Sequence, residues 1–342
     1  MGRSGRLDCR FPFNYNKREG MRMSTKTLTK PNTVPYPAKR NLAVEWLGDI
    51  RKNKLLYLML APVILFFAIF HYVPMYGAII AFKDYSPRLG IWGSPWAGLE
   101  HFQSFFGGLY FWRVLKNTIL ISLYELLFGF PAPIILALLL NEVRSSLFKR
   151  TVQTVTYMPH FISLVVVCGM IKEFTSSSGI VNDVIAYFGG ERISLLLEPE
   201  YFRTLFISSG IWQHIGWGTI IYLAALTGID PEQYEAAKID GAGRWKQMLH
   251  ITLPGIMPTI VILIILDIGR LMNVGSEKII LLYNPSTYET ADVIGSYVYR
   301  IGLQELNYSF SSAVGLFNSV INFTLVIFSN WLSRRLNETS LW

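Results

Sequence analysis

Between Asp230 and Pro258 the chain reads DPEQYEAAKIDGAGRWKQMLHITLPGIMP, a polar stretch between two long apolar runs. Its residue types suit docking rather than catalysis. Glu235 offers a carboxylate to a basic or backbone donor, Ala236 and Ala237 let a helix lie close to a partner, and Gly241, beside Asp240, permits a sharp turn without a Cβ clash. Asp230 suits an N-cap, Pro231 the first helical position and Gln233 a capping box, so a helix is predicted from Pro231 to a break at Gly241. After the break, Trp245, Met248, Leu249 and Thr252 recur at i, i+3, i+4 and i+7. That spacing predicts a second helix whose apolar face packs beneath the neighbouring runs and which Pro254 ends.

The elements that must position this loop follow from composition. The 342 residues are 51% hydrophobic and 16% charged, with 31 Lys+Arg against 23 Asp+Glu and a mean hydropathy of +0.35. A soluble domain carries about 25% charge. The apolar residues are gathered into six blocks, roughly 55 to 82, 117 to 140, 151 to 171, 204 to 228, 251 to 269 and 309 to 333, each long enough to cross a bilayer. The expectation is an all-α, polytopic membrane protein of six transmembrane helices. Pro74 and Gly77 predict a bend at the end of the first block. The two cysteines, Cys9 and Cys168, form neither a disulfide framework nor a metal site.

Three parts are expected: a basic cytoplasmic tail over 1–54, a membrane domain over 55–333 containing the loop 229–254, and a short cytoplasmic end over 334–342. With the N-terminus inside, the inner segments hold 21 Lys+Arg and the outer loops 10, which favours both termini in the cytoplasm. The tail supplies 13 of the 21, and its few, irregular aromatics fit an arm on anionic lipid better than a nucleic-acid binder. Met1, Met21 and Met23 are all possible starts.

The loop resembles the signature of permease subunits in binding-protein-dependent ABC importers, Glu-Ala-Ala, three residues, Gly, nine residues, Ile-x-Leu-Pro. Glu235, Ala236, Ala237, Gly241, Ile251, Leu253 and Pro254 match in identity and spacing. The resemblance runs from about Lys54 onward. YVPMYGAIIAFKDY over 72–85, QTVTYMPHFIS over 153–163 and SGIVN over 178–182 are similar to the carbohydrate-uptake class, and more narrowly to polysaccharide and oligosaccharide permeases of Gram-positive bacteria. It implies a type I importer permease fold in a bacterial plasma membrane, with the loop as coupling element. It also implies partners: a pair of ABC ATPase subunits carrying ATP and magnesium, a second permease subunit, and an extracytoplasmic solute-binding lipoprotein that delivers the sugar. No Walker A pattern occurs, so this chain is expected to hold no cofactor and to catalyse nothing itself.

A sugar path needs polar groups to replace water on hydroxyls and aromatic faces to stack on the ring. In the second block Thr118, Ser122, Glu125 and Gly129 share a helical face, and a carboxylate at that depth should face protein or water. The fourth block gathers Trp212, Gln213, His214, Trp217 and Tyr222. The two tryptophans lie about 140° apart on a helical wheel, and packing or an interfacial belt accounts for them as well as sugar stacking does. Asp267 and Arg270 are expected to pair, and Ser311, Gly315, Asn318 and Asn322 to join helices. An ion-coupled transporter would use Glu125 and Asp267 as carriers, but no repeat between halves supports it. A membrane enzyme would draw on His71, His160 and His214, and no HExxH or paired-carboxylate motif accompanies them. An ABC permease for a non-sugar solute is a further alternative.

Overall fold

The computed structural model describes residues 52–337. The expected tail up to Arg51, with Cys9, Met1, Met21 and Met23, lies outside the described residues, as does 338–342 of the expected C-terminal end. Among the described residues every regular element is helical, apart from one isolated bridge between Lys83 and Trp96. The principal helices are α1 (Lys54–Phe82), α2 (Phe111–Glu142), α3 (Ser146–Phe161), α4 (Leu164–Phe174), α5 (Pro199–Leu226), α6 (Pro231–Ile239), α7 (Arg244–Ile268) and α8 (Tyr308–Asn337). The chain divides into two compact units, one ending at Phe66 and one beginning at Phe67. The core described below belongs to the second.

Four helices, α1, α2, α7 and α8, are long and apolar enough to cross a membrane. The third expected span is not a straight helix: α3 and α4 meet at 102°. Pro159 sits in a tightened 3-10 turn, Met158–Phe161, and Ile162 and Ser163 are extended. The Ser163 hydroxyl then accepts from the Val166 N–H at 3.4 Å, starting α4 as a new helix. At 28 residues α5 has the length of a span, but Gln213 and His214 in its middle make it more polar. Six spans are therefore reached only if the bent pair counts as one and α5 as another.

Three long helices contain a π-turn that ends immediately before a proline. Val73 N–H bonds to Ala68 O before Pro74, Phe130 N–H to Glu125 O before Pro131, and Leu253 N–H to Met248 O before Pro254. Inside an α-helix a proline removes a donor, and its ring clashes with the carbonyl four residues back. The wider turn relieves both conflicts. This corrects the expectation that Pro254 ends the loop's second helix, because α7 runs unbroken from Arg244 through Pro254 to Ile268.

Buried apolar residues form three groups. Ile121, Cys168, Phe202, Phe206, Ile279 and Val293 join α2, α4, α5 and the chain after α7. Phe105, Val114, Met272, Ile294, Tyr297 and Val314 tie the segment before α2 to α8. Ile134, Ala137, Tyr222, Leu226 and Ile256 hold α2, α5 and α7 together. Close approach depends on missing side chains: a Cβ on Gly218 would stand 2.9 Å from the Pro133 ring, and one on Gly216 would collide with the Thr156 carbonyl of α3.

A polar seam binds α2 and α5 to the segment 288–300. Asp292 is fully buried and receives Arg113 at 3.0 Å, Arg300 at 2.7 Å and the Ser296 hydroxyl at 2.9 Å. Arg203 of α5 donates to Asn117 Oδ1 at 2.8 Å, and Asn117 donates in turn to the Asp292 carbonyl at 3.0 Å. Burial alone would lower the Arg300 guanidinium, but the hydrogen bonds and charge of Asp292 raise it above its ordinary value.

Candidate functional site

Helix α6 begins where the caps predict. Asp230 Oδ1 accepts from the Glu232 N–H at 3.0 Å, one residue short of the N3 position that a capping box with Gln233 would use. At the other end Gly241 has φ +75°, with its N–H on Lys238 O at 3.1 Å and the Ala242 N–H on Ala237 O at 2.8 Å. These paired bonds are a Schellman closure, which needs a left-handed residue at this point. Tyr234 OH to Thr252 Oγ1 at 3.0 Å joins α6 to α7, and Gln247 Nε2, donating to Ala242 O at 2.7 Å, holds the turn between them. Arg244 lies 3.8 Å from Glu142 at the end of α2.

Held in this way, the loop displays Glu235, Ala236, Asp240 and Gly241 on its surface, with Ala237, Ile251 and Leu253 half-buried and Pro254 exposed. Glu235 makes no hydrogen bond or ion pair among the described residues. Ile239 is 87% and Trp245 70% exposed. The expected inward face of the second helix is met only in part: Thr252 is buried and Met248 half-buried, but Trp245 and Leu249 are exposed and Gln247 is buried instead.

A second feature is a cavity of about 680 Å³ between α2, α5, α7 and the chain from Arg270 to Lys278. Four of the residues expected along a substrate path, Glu125, Gln213, Tyr222 and Asp267, line it together. Trp212 and Trp217 are not in the lining. Trp217 instead stacks on His160 at the α3–α4 bend, with centroids 4.5 Å apart and planes 4° from parallel, and His160 Nδ1 lies 3.2 Å from His214 Nδ1. Thr118 and Ser122 turn their hydroxyls to backbone carbonyls, Val114 O and Leu271 O. Glu125, which opens the π-turn, is exposed.

Asp267 and Arg270 both line the cavity, but no ion pair closes between them. The amides of α8 tie it to the segment after α7 and not to another helix: Asn318 donates to Asn273 Oδ1 at 2.9 Å, and Asn322 accepts from the Met272 N–H at 3.1 Å. Sequence reasoning missed Lys278. It sits in an expected outer loop, yet it is buried in the cavity wall, its Nζ donating to Phe206 O at 2.9 Å.

The loop is thus exposed and rigidly capped, and the apolar helices that carry it surround a cavity. Residues 129–338 match the family described as binding-protein-dependent transport system inner membrane component, and the chain belongs to that family. It is similar to Protein LplB of Bacillus subtilis (strain 168), 46% identical over 300 residues that cover 87% of this chain and 94% of that one. The polygalacturonan/rhamnogalacturonan transport system permease protein YteP of the same organism is 48% identical over 321 residues, 94% of this chain and all of that protein. Among solved structures the chain resembles one from a bacterial ABC transporter involved in the import of the acidic polysaccharide alginate. The TM-score is 0.80 at 46% identity, covering 86% of this chain and 99% of the other, and a second structure with the same scores holds that transporter with an alginate pentasaccharide-bound periplasmic protein.

Proposed function

We propose that this chain is one of two permease subunits enclosing the path of an ATP-driven importer for an oligosaccharide. The observation that carries the reading is the exposed two-helix loop. Glu235, Ala236, Ala237, Asp240 and Gly241, continued by Ile251, Leu253 and Pro254, form a surface braced from behind, while Ile239 and Trp245 face outward, exposed among the described residues. The ATPase pair, holding ATP and magnesium, docks there, and its closure moves α6 and switches the cavity between the two sides. A second permease subunit completes the path, and an extracytoplasmic binding lipoprotein delivers the sugar. The names of the relatives support carbohydrate as the cargo. Glu125, Gln213, Tyr222 and Asp267 are assigned to the path, and Trp217 is assigned to packing at the bend.

Vesicles containing the chain with its permease and ATPase partners are expected to accumulate labelled oligosaccharide only when both ATP and the binding protein are supplied. Accumulation without ATP, driven by a proton or sodium gradient, would replace this reading with ion coupling. Both termini and the loop belong on the cytoplasmic face of the plasma membrane in this proposal, and the start of α5 outside. With Cys9 and Cys168 replaced, a single cysteine at Pro199 should react with an impermeant thiol reagent in intact cells and one at Asp240 should not. Reaction at 240 overturns the orientation.

A further inference from the structure

Two polar groups in the cavity wall are buried without enough partners. Lys278 is 7% exposed, and its Nζ has one protein acceptor, Phe206 O, and the Phe206 ring at 4.7 Å. An ammonium carries three N–H donors, so two are left over among the described residues, and no carboxylate there comes within ion-pair distance. Gln213, on α5, is 4% exposed, and its Oε1 has no hydrogen-bond partner. Both line the same cavity. Burying an ammonium is costly unless an opposite charge and further acceptors compensate, and an orphaned amide oxygen adds its own desolvation cost.

One ligand chemistry satisfies both. Lys278 needs an anionic acceptor, because a neutral hydroxyl supplies a hydrogen bond but leaves the charge uncompensated. Gln213 Oε1 needs a donor, which a sugar hydroxyl supplies. Glu125, Asp267 and Glu277 line the same space and repel an acid, and Arg270, the other cation in the lining, is exposed, so a ligand that carries both groups is oriented with its carboxylate toward the buried Lys278 and its hydroxyls toward Glu125 and Gln213. Resting on the oligosaccharide reading, we propose that Lys278 is the specificity-determining residue of the path and receives the carboxylate of an acidic sugar unit, with Gln213 accepting from a hydroxyl of the same ligand. The polymers named for YteP and for the alginate transporter are both acidic, which agrees with a cation in the wall.

The test measures equilibrium binding to the purified complex of this chain with its permease and ATPase partners. The probes are radiolabelled tetragalacturonate and its fully methyl-esterified form. Solute-binding protein is left out, so its own preference does not enter. The wild-type complex is expected to bind the acid at least about tenfold more tightly than the ester. Lys278→Gln brings the ratio to about one, chiefly by losing the acid; Lys278→Met, better suited to a buried site, does the same; Lys278→Arg keeps most of the preference. Gln213→Leu weakens both probes alike. Neutral variants with the wild-type ratio overturn the assignment, as does a wild-type complex that binds both probes equally or neither. Because no transport step is measured, such a failure leaves the importer reading standing; that reading falls only with the ATP-dependent uptake experiment.

Discussion

A Gly241→Pro chain is expected to reach the membrane at normal levels and to lose uptake altogether. Proline locks φ near −65°, whereas residue 241 needs +75°, and it removes the N–H that bonds to Lys238 O. The second bond of the closure, Ala242 N–H to Ala237 O, requires the same turn and goes with it. Helix α6 then loses its fixed direction relative to α7, although the apolar groups that hold the spans together lie elsewhere. Gly241→Ala keeps the donor and pays about 1–2 kcal/mol for the left-handed backbone, so it should give an intermediate loss. Glu235→Ala leaves α6 intact and removes only the exposed carboxylate; it should also stop uptake while the chain stays in the membrane. Uptake of labelled oligosaccharide, normalised to the amount of chain in isolated membranes, separates these effects. Normal uptake by Gly241→Pro with the ATPase still bound would refute the docking role of the loop.

The largest loss of stability is expected from Asp292→Ala. Its carboxylate is fully buried between Arg113 and Arg300, whose side chains are 29% and 16% exposed. Removing it leaves two guanidinium groups with no counter-ion, and breaking a buried pair in this way costs about 3–5 kcal/mol. The pair Arg192–Asp183 is an internal control. Its distance is also 2.7 Å, but both side chains are about half exposed, and such surface pairs contribute about 0–1 kcal/mol. Thermal melting of the purified complex should therefore show a large drop for Asp292→Ala and almost none for Asp183→Ala. Equal drops would mean that burial does not set the strength of these bridges.

The parts of the fold that were legible in the sequence are those set by neighbours in the chain. Asp230 and Pro231 start α6, and Gly241 stops it, because capping and left-handed closure involve residues a turn apart. Apolar length placed the ends of α1, α2, α7 and α8 within about four residues, but the starts of α2 and α7 six and seven residues too late. The same averaging hid the bend in the third block, since hydropathy over 151 to 171 does not register a change of direction. Pro159 followed by Ser163 was a local signal of a helix end and a new N-cap that could have exposed it. The candidate path was half legible: a carboxylate in an apolar run marks Glu125, but whether an indole faces the cavity depends on which helix lies beside it. Lys278 could not be found this way, because only the folding back of the chain after α7 carries it against α5.

The π-turns in α2 and α7 bear on how their halves are compared with relatives. Each holds one more residue than an α-turn, so the two parts of the helix are offset by about 100° from a continuous 3.6-residue repeat. Across Met248–Thr252 a spacing of five keeps one face, since Gln247 and Thr252 are both buried. Deleting a single residue there would straighten the ladder and at the same time swing every downstream side chain about a quarter-turn around the axis, bringing Pro131 or Pro254 against a carbonyl. The inserted residue and the proline after it thus form one inheritable unit. A relative should keep both or lack both, and a one-position gap in an alignment at these turns would mark an exchange of faces rather than a neutral change in length.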